Sequence, residues 1–243
     1  MRILLLSTAD TDLLAARASG ADYRLANPAR VAADEVPALL DGVDLVVVRL
    51  LGGRQAWPDG LAAVLATGVP TVVLGGEALP DAELMAISTV PSGVVTQALA
   101  YLVEGGPDNL AQLARFLSDT VLLTGEGFAP PAPTPAYGVH GEHPTDPQRP
   151  TVGIVFYRAH ALAGNTGFVD VLAEAVRAAG GNPLPIFCGS LRGLTTGAGP
   201  LGLFARCDAL LVTVLAAGGA VAADASGGGD EDAWDVGALA ALD

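Results

Sequence analysis

TVGIVFYRAHALAGNTGFVDVLAEAVRAAGGNPLPIFCGSLR, residues 151–192, is the stretch that decides the fold. The apolar run Val152–Tyr157 reads as a buried strand. A polar loop follows, carrying Arg158, His160, Gly164, Asn165 and Thr166. Next comes a helix with Phe168, Val169, Leu172, Ala173 and Val176 on one face, stopped at Gly180-Gly181 and followed by a second apolar run, Leu184–Cys188. Strand, loop, helix and strand in that order make a parallel βαβ unit. Its loop lies at the carboxyl end of a strand, where open α/β sheets take their ligands. Arg158 is a permanent cation, and Asn165 and Thr166 lie at a helix start, where backbone N–H groups lack partners and the dipole favours negative charge. Arg158, His160, Asn165 and Thr166 are therefore the candidate site, suited to an anionic or carboxylate-bearing ligand. The same residues have a structural reading: Asn and Thr cap helices, Gly164 supplies a positive φ, and His160 can be a satisfied packing group.

Outward from that stretch, the bulk properties bound the protein. The chain has 243 residues, of which 51% are hydrophobic, enough for a real core in one or two domains. Cys188 and Cys207 sit at the edges of apolar runs without CxxC or metal-finger spacing, which predicts buried thiols in a reducing compartment. MRILLLSTADTD has too short an apolar core for a signal peptide, and Ala209–Ala223 falls short of the roughly 20 residues that span a bilayer. The expectation is a cytoplasmic protein with no membrane partner. The formal charge is −14 and all twelve basic residues are arginine. Without lysine there is neither a GxxxxGK[ST] phosphate loop nor a Schiff base. An acidic surface repels a phosphate backbone, so no nucleic-acid partner is expected.

The organisation reads as two Rossmann-like parallel-sheet α/β lobes, residues 1–125 and 151–243, joined by a linker over 126–150 with seven prolines. In the first lobe strands are predicted at Arg2–Leu6, Leu45–Leu50 and Thr71–Leu74. Helices are predicted from about Thr11, after Trp57, over Ser92–Glu104 with Ser92 as a cap, and over Pro107–Leu123. The second lobe repeats the scheme. DLVVVRLLGGRQAWPDGLAAVLA, from Asp44, resembles DALLVTVLAAGG…DEDAWDVGALAALD, from Asp208, with Trp57 matching Trp234 and Gly60 matching Gly237. In the first lobe the helix after the tryptophan leads to a further strand. The second lobe ends before one, so it is expected to be truncated, with an open sheet edge.

Other chemistries find little footing. The first strand's loop, Ser7 to Asp12, lacks GxGxxG and carries carboxylates that repel a pyrophosphate, so no cofactor is expected to bind. His140, Glu142 and His143 form HGEH in a proline-rich segment without the rigid helix that holds two imidazoles on one centre. Asp224, Asp230, Glu231, Asp232 and Asp235 read as a solvated acidic loop. No metal site and no catalytic residue is assigned. No GxSxG elbow precedes Ser190, and Cys188 reads as inert.

At YRAHALAGNTGFVDVLAEAVRAAGGNPLPIFC, from Tyr157, the chain resembles the large subunits of the CobN/magnesium chelatase family, nearest to the cobalt branch. LLLSTADTDLLAAR from Leu4, VVRLLGGRQAW from Val47, YLVEGGPDNLAQLARFLSDTVLLTGEGF from Tyr101 and LLVTVLAAGG from Leu210 carry the same resemblance, which extends over nearly the whole chain. It implies insertion of a divalent metal into a tetrapyrrole, with ATP hydrolysed on separate AAA+ partner subunits. In the cobalt branch Co2+ is the substrate and the acceptor is a corrin precursor, hydrogenobyrinic acid a,c-diamide, of aerobic cobalamin biosynthesis. Family subunits are several times longer, and insertion is attributed mainly to their later regions. This implies an amino-terminal fragment that is inactive by itself. Two alternatives stand beside that reading: the magnesium relative, which uses Mg2+ and protoporphyrin IX, and a non-catalytic docking module of the same fold.

Overall fold

The computed structural model describes residues 1–191 and 199–214. The chain divides into two compact units, Met1–Thr134 and Pro135 onward. In the first, β1 (Ile3–Ser7), α1 (Asp10–Ala18), β2 (Tyr23–Ala26), α2 (Val36–Leu40), β3 (Leu45–Leu50), α3 (Pro58–Ala66), β4 (Thr71–Gly75), α4 (Ala82–Ala86), α5 (Ser92–Glu104) and α6 (Gly106–Val121) follow one another. The sheet is parallel throughout, in the order β2-β1-β3-β4. β2 is absent from the sequence expectation because Tyr-Arg-Leu-Ala lacks an apolar run; it is an edge strand, half-buried along its length. Ser92 is the first residue of α5 rather than its cap: Pro91 holds that position, and no side chain caps the helix.

β1, β3 and β4 are apolar runs buried on both faces, as a parallel sheet between helices requires. Leu4, Leu6, Val46, Val48 and Leu50 face Val36, Trp57, Leu61 and Val64 of the second-helix side. The indole of Trp57 donates from Nε1 to the Val31 carbonyl at 3.0 Å and lies directly over Gly60. A Cβ at Gly60 would fall 1.9 Å from the Trp57 ring, which accounts for the Trp-x-x-Gly spacing noted in the sequence. Trp234 and Gly237, the matching pair, and the acidic loop lie outside the described residues.

The opposite face holds a buried charge. Arg49, 8% exposed in β3, donates to Asp12 of α1 at 3.0 Å and to the Gly76 carbonyl after β4 at 2.9 Å. Asp12 accepts a second bond, from Ser7 Oγ at 2.6 Å.

The second unit contains β5 (Tyr137–Val139), β6 (Thr151–Tyr157), α7 (Arg158–Leu162), α8 (Gly167–Ala178), β7 (Asn182–Cys188), α9 (Leu201–Phe204) and β8 (Ala209–Val212). Its sheet has the order β5-β7-β6-β8, parallel except for β5, which pairs antiparallel with β7. β5 falls in the stretch read as a linker. Earlier in that stretch, Ala129 and Ala132 bond to Tyr101 and Asn109 of the first unit's helices. Later, Asp146 and Arg149 bond to the buried amide of Asn182.

The repetition seen in the sequence recurs in the backbone. β1 pairs with β3 from Ile3↔Leu45, and β6 with β8 from Val152↔Ala209. In both units an aspartate just before the second strand exchanges two bonds with the residue opening the first. Asp44 does so with Arg2, at 2.8 and 3.0 Å, and Asp208 with Thr151, at 2.7 and 2.8 Å. The units differ at the next position in the sheet. β3 is fully buried because β4 covers its far side, whereas β8 alternates between exposed and half-buried residues. Among the described residues β8 pairs with β6 alone.

Replacing Asp12 by Ala should destabilise the first unit by about 3–5 kcal/mol, because it strands the guanidinium of Arg49 in a buried site. Urea denaturation measures this. A loss below about 1 kcal/mol would mean that water reaches Arg49 and the pair behaves like a surface ion pair.

Candidate functional site

In the second unit the chain crosses from β6 to β7 on one side and returns to β8 on the other. The topological switch point therefore lies at the carboxyl ends of β6 and β8, where Tyr157 leads into α7 and Thr213 follows β8. Thr213 continues the ladder there, its N–H and hydroxyl both donating to the Val155 carbonyl, at 2.9 and 3.0 Å. The candidate residues all follow β6 directly.

The polar loop expected after β6 is, in its first part, a short helix. Arg158, Ala159, His160, Ala161 and Leu162 are mostly good helix formers and continue straight from the strand. A turn at Gly164, with φ +69°, then redirects the chain, and the Asn165 N–H returns to the His160 carbonyl at 2.9 Å. This turn is what brings the Asn165 side chain to His160, with Nδ2 3.2 Å from Nδ1.

Arg158 donates from Nε to the Pro135 carbonyl at 2.8 Å, two residues before β5. Thr166 is the N-cap of α8 through its backbone: its carbonyl accepts from Val169 at 2.8 Å and Asp170 at 3.1 Å, while its hydroxyl caps nothing. Asp170 in the first turn of α8 offsets part of the positive end of the dipole. The anion-binding character expected of the helix start is thus reduced, and Arg158 carries the positive charge of the site. His160 and Asn165 form a neutral polar pair.

Burial holds the His160 imidazole below its ordinary pKa, favouring the neutral ring. That ring lies 5.3 Å from Phe168 at 75° and 6.4 Å from Tyr157. Phe168 was expected on the buried face of α8 and is instead 38% exposed. Val169, Leu172, Ala173 and Val176 already fill the i, i+3, i+4, i+7 stripe that packs on Ile154, Phe156 and Phe187. Phe168 precedes that stripe by one residue, about 100° around the helix, and so falls at its outer margin. The signal was present in the spacing, but the apolar character of Phe168 masked it.

Other sequence candidates are taken up structurally. His143 receives a bond from Arg177 at Nδ1, 2.6 Å, and its Nε2 lies 2.9 Å from the His140 carbonyl, so both ring nitrogens are engaged. Cys188 is buried in the core of β7, which pushes its thiol up to about 11. Among the described residues no group of three His, Cys, Asp or Glu side chains is placed to hold a metal ion. None of the described helices is long and apolar enough to cross a membrane.

A family model for CobN/Magnesium Chelatase matches residues 99–242. The aerobic cobaltochelatase subunit CobN of Pseudomonas aeruginosa is 32% identical over 200 residues, covering 73% of this chain and 16% of that protein. The subunit of the same name from Sinorhizobium sp. is 33% identical over 172 residues, covering 61% and 13%. Among solved structures, the catalytic subunit of cobaltochelatase from Mycobacterium tuberculosis shares 51% identity with a TM-score of 0.70, covering all of this chain and 20% of that one. The matched part of the chain thus spans only 16% and 13% of the length of these two curated relatives.

The lowered pKa of His160 gives a stability test. Unfolded, the imidazole titrates near its ordinary value of about 6.5. Between that value and the lower folded one, the unfolded chain binds more protons, so stability rises with pH. The contribution is complete above about pH 6.5 and is lost as pH falls through the folded value. Denaturation at about pH 5 and about pH 7.5 should show a smaller loss on acidification for His160→Gln than for the parent. Identical losses would remove His160 as a source of the dependence.

Proposed function

The chain belongs to the CobN/magnesium chelatase family, and from that footing we propose that it is the amino-terminal part of a cobaltochelatase large subunit. In this reading the complete subunit inserts Co2+ into hydrogenobyrinic acid a,c-diamide during aerobic cobalamin biosynthesis. The observation that carries it is the 51% identity, over the whole chain, to a solved cobaltochelatase catalytic subunit. The two curated relatives described above are also cobaltochelatase subunits, which favours the cobalt branch over the magnesium one.

The role of these residues is to hold substrate rather than to perform the insertion. The corrin precursor carries carboxylate and amide arms. Arg158 at the end of β6 suits a carboxylate through a charge-assisted bond, and the Asn165 amide suits either arm. His160, kept neutral by burial, adds a polar edge without adding charge. Thr166 contributes by setting the start of α8 rather than by its hydroxyl. Driving insertion takes ATP, and a chain without lysine has no Walker phosphate loop. That agrees with what the family resemblance implies, hydrolysis on partner subunits of the AAA+ class. Insertion of a divalent metal displaces one inner N–H proton from a corrin and two from protoporphyrin IX. No described residue here is assigned to receive a displaced proton.

Two measurements on the complete subunit test the reading. Assembled with its ATPase partners, ATP and hydrogenobyrinic acid a,c-diamide, it should take up Co2+ with a change in the absorbance of the macrocycle. Metalation of protoporphyrin IX with Mg2+ in its place would move the protein to the magnesium branch. Arg158→Ala should weaken binding of the corrin precursor about ten- to a hundredfold, the equivalent of about 1.5–3 kcal/mol for a charged hydrogen bond. The melting temperature should not change. Unchanged binding, or loss of binding and melting temperature together, would return Arg158 to a structural role.

A further inference from the structure

Phe168 is a large apolar side chain at the carboxyl end of the sheet, 38% exposed, on a helix whose Val169 and Ala173 are buried. Its position is nonetheless fixed. The ring meets Phe156 at 6.2 Å and 89°, and His160 at 5.3 Å and 75°. Phe156 is fully buried in β6 and makes a second edge contact with Phe187, so it is a rigid wall. His160 is steadied by Asn165 at 3.2 Å. A ring packed edge-to-face against two others is pre-set in orientation before anything binds.

An exposed apolar residue standing singly is ordinary and needs no explanation. Two features set Phe168 apart: the aromatic scaffold that holds it and the polar rim beside it, where an imidazole and a primary amide meet. A flat conjugated ligand needs that combination, a ring to stack on and hydrogen-bonding groups at its perimeter. A partner helix needs something else. It would call for apolar anchors over two turns or more, whereas Val171 is followed around this side of α8 by Glu174 and Arg177, which pair with each other at 3.4 Å. Beyond Val171 the same side offers only the exposed methyls of Ala175 and Ala178, so its large apolar side chains span a single turn.

We propose that Phe168, flanked by His160, is a stacking ledge for the face of a tetrapyrrole macrocycle, with Asn165 meeting an amide or carboxylate arm at the macrocycle's edge. The ledge rests on the reading of this unit as a substrate-holding part of a chelatase. It adds the recognition of the ring system to the recognition of its arms by Arg158. It also assigns Phe168 a role that helix packing does not, since the buried stripe of α8 is complete without it.

The test uses the complete large subunit titrated with hydrogenobyrinic acid a,c-diamide, with binding read from the visible absorbance of the macrocycle and melting temperature recorded alongside. Phe168→Ala should weaken binding about three- to tenfold, the size of one aromatic pair, with melting unchanged. Phe168→Leu, apolar but without a ring face, should bind as weakly as the alanine variant. Phe168→Trp should keep parent affinity, and its added emission should be quenched as the macrocycle binds. Parent affinity in the leucine variant would reduce the ledge to simple apolar filling and overturn the stacking role. An unquenched tryptophan would overturn it too, and remains decisive if the alanine variant folds poorly. Weaker binding in Arg158→Ala with none in Phe168→Ala would sink the ledge and leave the substrate reading standing. No effect from either variant would sink both. Intact macrocycle binding with loss of an ATPase partner from Phe168→Ala would mark the patch as a protein-docking surface instead.

Discussion

One guanidinium ties the first unit together. Arg49 sits near the carboxyl end of β3, an otherwise apolar strand, and reaches Asp12 of α1, the carbonyl of Gly76 beyond β4, and the Leu102 carbonyl of α5 at 3.4 Å. Helix, neighbouring strand and covering helix are thereby held to β3 by a single side chain. Such a group is expensive to bury, and its attraction to Asp12 offsets the desolvation only because the remaining donors also find acceptors. That compensation is incomplete at Nε, which is buried without a partner. A pair of this kind serves the specificity of the arrangement more than its stability. It admits one register of α1 against the carboxyl ends of β1 and β3, since any slip strands the charge.

At the equivalent place the second unit carries a hydroxyl in its sheet instead of a guanidinium. At the position of Arg49 in the strand repeat stands Thr213, whose hydroxyl returns to the backbone of β6 at 3.0 Å. Its core is apolar on both sides of the sheet, with Ile154 and Phe156 facing α8, and Val155, Leu184 and Ile186 facing α9. The cation at this switch point, Arg158, opens the short helix α7 and bonds to the Pro135 carbonyl. The two units therefore share a strand scaffold and the aspartate contacts that open it, Asp44 and Asp208. They place their arginines differently: one inward as a brace, the other outward at the mouth of the sheet.

The polar and aromatic parts of the candidate site depend on one backbone feature. The positive φ at Gly164 lets the chain turn sharply between α7 and α8. That turn closes on the His160 carbonyl and puts Asn165 on the imidazole and Phe168 at its edge. A cavity of about 310 Å3 at the opposite, amino-terminal end of the same sheet is lined by Asp146, Arg149, Arg206 and Asp208. Its charges balance, and Arg149 already pairs with Asp146 at 3.3 Å, so it lacks the uneven chemistry of the rim after β6.

Much of this architecture is legible in residue order, because the strands that matter are buried on both faces. Val152–Tyr157, Leu184–Cys188 and Leu45–Leu50, the last broken only by Arg49, announce themselves as largely apolar runs between glycines and polar turns, and the helices between them dictate parallel pairing. The short edge strands escaped for the converse reason. Tyr137–Val139 and Tyr23–Ala26 owe their pairing to a neighbour and carry no pattern of their own. The excluded chemistries, above all a lysine-dependent phosphate loop, and the resemblance to the chelatases follow from the sequence by itself. Direction and contact required the tertiary structure. It decided that Arg158 reaches toward Pro135, that Thr166 caps through its carbonyl, and that Phe168 turns outward onto His160. Residue type limits what a side chain can bond to. Which bond forms is settled by the angle at which the backbone delivers it, and at this site a turn and one-fourth of a helical rotation set that angle.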